Sequence, residues 1–244
     1  MNTSVSSTLR LIGAGLRALL ALTVICGVIY PLAVTGIAQA LFNDKANGSE
    51  IKDKNGRVVG SSLIGQTYNL PKNTASDSTT GNDADEAARP DLKWFQPRPS
   101  NGLGTNSVNT QYSLILSGAT NRSADNGAVG GQCTKAAAEG TLCAQVIAAK
   151  DAVVADNSTA DFKVKPEDVP ADAVTSSGSG LDPHISPAYA ELQVHRVAEQ
   201  NKLDVKQVEK LVEDHTEGRT LGFMGEPRVN VLELNTALKA LTGR

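Results

Sequence analysis

The densest concentration of chemically capable side chains is the run Ser177-Gly178-Ser179-Gly180-Leu181-Asp182-Pro183-His184-Ile185-Ser186-Pro187. Two glycines in a turn that feeds a helix start can aim backbone N–H groups at an anion, which is one way phosphates are held. On that reading Ser177, Gly178, Ser179, Gly180 and Asp182 form a phosphate nest, and Gln193 and Arg196 on the following helix are its polar partners. On the structural reading Gly178 and Gly180 permit a tight turn, Asp182-Pro183 extends it, and Ser186 caps the helix. The segment then offers Leu181 and His184 as contact residues rather than as a binding site.

Other chemistry is missing from the chain. There is no G-x-x-x-x-G-K-[ST] loop, no H-E-x-x-H and no G-x-S-x-G. His184, His195 and His215 are scattered, with no Asp or Cys at a spacing that makes a triad recognisable. No catalytic residue, metal or directly bound cofactor is expected. Of the three cysteines, Cys26 lies in an apolar run, where a thiol behaves as a small hydrophobe. Cys133 and Cys143, with nine residues between them, either close a small disulfide loop in an oxidising compartment or remain unpaired thiols. No histidine lies near them, which argues against a metal site.

The elements that must position the 177–187 run are best written in the C-terminal third. Ser186-Pro187 supplies an N-cap and a first-turn proline for a helix through about Gln200. Asp204 and Gln207 form a capping-box pattern ahead of Val205, Val208, Leu211 and Val212, a helix expected to run to Gly218. Asn230 and Glu233 repeat the cap for a last helix lined by Val231, Leu234, Leu238 and Leu241. Upstream, Ile51 and Val58-Val59 flank Asn55-Gly56 as a two-stranded turn. Asn69 to Arg89 reads as a polar surface loop. Trp94-Phe95-Gln96-Pro97-Arg98-Pro99-Ser100 reads either as an anchor of that loop or as a rigid contact surface with Arg98 stacked on an aromatic. A second polar excursion, Ala119 to Val169, is expected to hold a helix near Ala136 to Lys150. A small sheet with three C-terminal helices makes an α+β domain.

The N-terminus is of another kind. No charge occurs from Ala18 to Asn43, and the 21 apolar-core residues Ala18 to Ala38 would span about 31 Å as a helix, enough for a hydrocarbon layer of ~30 Å. Ala38-Gln39-Ala40 resembles a cleavage site, so a removed signal peptide is the competing reading; the length of the run and Pro31 favour a retained anchor. Thr23, Gly27 and Pro31 fall four apart, a stripe on which another helix could pack. The first 43 residues carry Arg10 and Arg17 and no acid, which keeps that side cytoplasmic. The expected organisation is a cytoplasmic tail over 1–11, a span over 12–38 and an extracytoplasmic domain over 39–244, with polar insertions near 71–92 and 122–165. Residues 44–244 hold 21 Lys+Arg against 26 Asp+Glu, a balance of −5 that excludes a nucleic-acid binder.

The run Val174 to Gln200 resembles the signature of the KdpC family, one of the components of the bacterial high-affinity potassium-transporting ATPase, the Kdp complex. Tyr30-Pro31, Phe42 to Ser49, Gly60-Ser61, Leu63 to Gln66, Arg98-Pro99-Ser100, Leu221-Gly222 and Gly225 to Asn235 agree in order. The family usually follows its Arg-Pro-Ser block with Ser-Gly-Gly-Ser-Asn, which Leu116 to Asn121 matches only in part, and the two polar insertions are longer than usual. The resemblance implies a non-catalytic subunit of an ATP-driven potassium import pump in the bacterial cytoplasmic membrane, needed for assembly and stability. Its implied partners are a channel-like potassium-translocating subunit, a P-type ATPase catalytic subunit and a small single-span subunit. Potassium and ATP would be handled by the complex. The family is also described as a catalytic chaperone that raises the ATP affinity of the pump subunit.

Overall fold

The computed structural model describes residues 5–70, 89–100, 104–105, 128, 133–137 and 140–243. Most of the Asn69 to Arg89 loop and the Leu116 to Asn121 block lie outside them. Two units divide the chain, Met1–Glu50 and Ile51–Arg244.

The first unit is a helix with one change of pitch. α1 (Val5–Val24) passes through a π-helical turn, Ile25–Ile29, into α2 (Tyr30–Leu41), and α3 (Asn43–Ala46) follows. The segment Ser7–Leu41 is the one helix among the described residues long and apolar enough to cross a membrane. The π turn sits directly before Pro31. That residue has no N–H to donate, and its ring crowds the carbonyl four residues back, so the preceding turn widens and the Tyr30 N–H reaches Ile25 instead.

The second unit begins with the β1 (Glu50–Lys52) and β2 (Val58–Ser61) ribbon. At its turn the Asp53 carboxylate accepts from the N–H groups of Asn55 (2.8 Å) and Arg57 (3.0 Å), and Gly56 takes φ +75°. Those N–H bonds, Arg57's first, hold the Asp53 carboxyl below its ordinary 3.8. β3 (Gln66–Thr67) pairs in parallel with β4 (Gly104–Thr105), and β5 (His184–Ile185), β7 (Arg228–Asn230) and β6 (Thr216–Glu217) form an antiparallel sheet in that order.

Four helices cover this sheet: α4 (Leu142–Asn157), α5 (Pro187–Asn201), α6 (Val205–Asp214) and α7 (Val231–Leu241). The Ser186, Asp204 and Asn230 caps all form, and the capping box at Asp204 is complete. Two boundaries differ from expectation. α6 stops at Asp214, not at Gly218, because Thr216 and Glu217 are drawn into the ladder with Val229 and Arg228. The helix expected over Ala136 to Lys150 occupies Leu142–Asn157; Gly140 turns with φ +82° and Thr141 caps the Ala144 N–H. Cys133 and Cys143 are joined as a disulfide beside this start. α4 is also no mere excursion, since Val153 belongs to the core with Phe95, Tyr189, Val197, Val208 and Leu234.

Candidate functional site

α5 is buried on most of its circumference, so its polar side chains must be satisfied inside the protein. Gln193 accepts from the Gln96 N–H (2.7 Å) and donates back to the Gln96 carbonyl (3.2 Å). From α7, Asn235 accepts from the Phe95 N–H (2.9 Å) and donates to the Phe95 carbonyl (2.9 Å). Two side-chain amides thus replace the neighbouring strand that an extended segment would otherwise need. Phe95 is fully buried between them.

Arg196 completes the clamp. Its guanidinium donates to the Leu92 and Trp94 carbonyls, to Asn157 Oδ1 (2.8 Å) and to Gln193 Oε1 (2.7 Å). The side chain is almost wholly buried, and burial draws its pKa down to about 10, so it stays cationic at neutral pH. Burial likewise pushes the Tyr189 hydroxyl up to about 12. Gln193 and Arg196 were expected to serve the Ser177–Asp182 turn as phosphate partners; their donors are instead committed to residues 92–96 and Asn157.

The turn itself closes on its own side chains. Ser177 Oγ, buried, accepts from the N–H groups of Gly180 (3.0 Å) and Asp182 (3.4 Å), and Ser179 Oγ accepts from Leu181 N–H (3.1 Å). Asp182 Oδ1 accepts from His184 N–H (2.9 Å). Donors that a phosphate would need are already paired. Gly180 carries φ +72° in the interior, the backbone state that glycine adopts most cheaply. Ser186 Oγ caps Tyr189 N–H (3.1 Å) while donating to Asp172 Oδ1 (2.9 Å), which fixes the start of α5.

Arg98 does not stack on an aromatic ring. It pairs with Asp182 Oδ2 at 3.2 Å and donates to the carbonyls of Thr175 and Ser176 at 3.3 Å each, tying the Arg-Pro-Ser block to the turn. Leu181 and His184 are half-buried on the same turn, and the Leu181 carbonyl accepts from Gly65 N–H at 2.8 Å. Burial of Asp182 opposes its charge, but the bonds from His184 and the nearby Arg98 cation outweigh this and hold its carboxyl below 3.8. A carboxyl so lowered stabilises the fold above its unfolded pKa, and that stability disappears as the pH falls through the folded value. Thermal midpoints followed from about pH 6 to about pH 3 should therefore fall less steeply for Asp182→Asn than for the unaltered chain. Equal slopes would show that the pairing contributes nothing.

In the helical unit Thr23, Gly27 and Pro31 are all exposed, and nothing lies within 4 Å of a side chain placed at Gly27. Residues four apart in an α-helix overshoot one turn by about 40°; the wider π turn takes part of this back, so the stripe is kept in line. One surface escaped the sequence reading. Leu221, Phe223 and Met224 are exposed at the tip of the β6–β7 hairpin, with Leu221 in the left-handed region at φ 55°. Arg219–Glu226 (2.7 Å) and Arg228–Glu217 (2.9 Å) pair across the strands below it. A short apolar run amid Gly, Arg and Glu was the signal available.

Among the described residues no group of three or more His, Cys, Asp and Glu is placed to hold a metal. A helix able to span a membrane and an α+β domain whose polar constellation binds its own backbone define a membrane-associated accessory subunit. Residues 12–240 match the family model "K+-transporting ATPase, c chain", KdpC. The chain is 67% identical over 241 residues to the potassium-transporting ATPase KdpC subunit of Streptomyces avermitilis, covering 99% of this chain and 98% of that one. It is 61% identical to that of Streptomyces coelicolor (99% and 97% covered) and 39% identical to that of Mycobacterium bovis (93% and 96%). The chain belongs to the KdpC family of the potassium-transporting ATPase and has an accessory role in the potassium pump.

Proposed function

We propose that this subunit is an assembly and capping element: its helix packs against partner spans, and its domain lies outside the cytoplasm over the potassium entrance of the channel-like subunit. The observation that carries this reading is the 177–184 turn, whose N–H groups are spent on Ser177, Ser179 and Asp182, which leaves a structural and contact role for the family's signature run. The two arginines before the span support the orientation, and the −5 balance after it suits the approach of a cation. An effect on the pump's ATP affinity then acts as coupling across the membrane, because a domain on that side does not meet cytoplasmic ATP.

Helix packing through the Thr23-Gly27-Pro31 stripe is tested by Gly27→Leu. The substitution meets no atom of this chain, so any loss reports on partners. Recovery of the complex after detergent extraction should drop severalfold while the chain itself remains present. Unchanged recovery, or a mature N-terminus at Leu41, would contradict the retained, packed span.

A further inference from the structure

We propose that the groove between α5 and α6 seats a basic, partly apolar segment of a partner subunit of the pump. The groove is a cavity of about 760 Å³. Its floor is apolar: Val164, Leu192 and Val212 are buried there, and the Phe162 ring stacks on His195 with centroids 4.0 Å apart and planes 5° from parallel. Its rim is acidic, formed by Asp168, Glu191, Glu209 and Glu213.

No lysine or arginine lines the groove, although Lys163 and Lys165 are sequence neighbours of its wall. Among the described residues none of the four rim carboxylates forms an ion pair, whereas Asp214, Glu217 and Glu226 nearby in sequence are matched by Lys210, Arg228 and Arg219. Four unmatched like charges around a dry floor repel one another and favour a cationic occupant. Lys and Arg fit both halves, laying an aliphatic stem on the floor and a charged head among the carboxylates. The chain's own remaining segments do not supply this chemistry. Residues 71–88 hold one lysine against three aspartates and a glutamate, and residues 106–127 hold one arginine and one aspartate. A partner subunit is therefore the occupant that the charge pattern fits.

This inference rests on membership of the complex and not on capping or sidedness, so it stands or falls separately from them. Carboxylates of the full-length chain are labelled with a carbodiimide and an amine, alone and in the assembled complex. Labelling of Glu191, Glu209 and Glu213 should fall at least fivefold on assembly while that of exposed Asp204 is retained. The double variant Glu209→Lys/Glu213→Lys, at two exposed positions of α6, should fold with an unchanged urea midpoint and reduce recovery of the complex severalfold. Unchanged labelling on assembly would overturn the proposal, and protection by added spermine alone would reassign the groove to a small polyammonium ligand. Normal recovery of the double variant would overturn it too, since a neutral occupant tolerates the reversed charge.

Discussion

Arg196→Ala should lower the stability of the soluble domain by about 3–5 kcal/mol, the range for removing one side of a buried charged network. The loss is large because four oxygens lose their donor together: the Leu92 and Trp94 carbonyls, Asn157 Oδ1 and Gln193 Oε1. Each is left in an interior where water does not replace the bond. Arg196→Lys keeps the charge but not the planar fork, and should recover only part of the loss. The urea midpoint of the detergent-solubilised chain reads both. A midpoint for Arg196→Ala close to that of the unaltered chain would mean that the clamp on residues 92–96 does not hold the fold together.

Gly180→Val is expected to act through folding and assembly. The position is buried at φ +72°, and a β-branched residue held there costs about 1–3 kcal/mol in backbone strain. The turn would open, the Ser177 hydroxyl would lose its N–H donors, and Arg98 would lose the fixed position of Asp182. Recovery of the complex should fall, while the ATP affinity of whatever complex survives should match that of the unaltered pump. A Gly180→Val chain that is stable and fully assembled, yet abolishes ATP binding, would contradict the structural role and restore the phosphate nest.

Local signals carried most of what was legible in the chain. The caps at Ser186, Asp204 and Asn230 act within three residues, so the starts of α5, α6 and α7 could be placed from sequence. The end of α6 could not, because it is decided by pairing with β7, a strand eleven or more residues further along. α4 was misplaced because its apolar residues mark no clear face and its anchor is tertiary, through Val153 in the core and Asn157 on Arg196. The same distance effect governed the site. Gln193 and Arg196 sit about one helical turn apart on α5, which made them candidates for a neighbouring anion; their actual partners lie about a hundred residues earlier in the chain. Arg98 likewise found a carboxylate 84 residues away rather than the aromatic rings beside it.

Sidedness is the most direct test of the capping account. Lys206 is exposed on α6, Cys133 and Cys143 are engaged with each other, and Cys26 lies within the apolar helix. Lys206→Cys therefore adds a single accessible thiol to the domain. Treated with a membrane-impermeant maleimide, intact cells should label it as fully as lysed cells do. Protection until lysis would put the domain in the cytoplasm and contradict the cap over the potassium entrance.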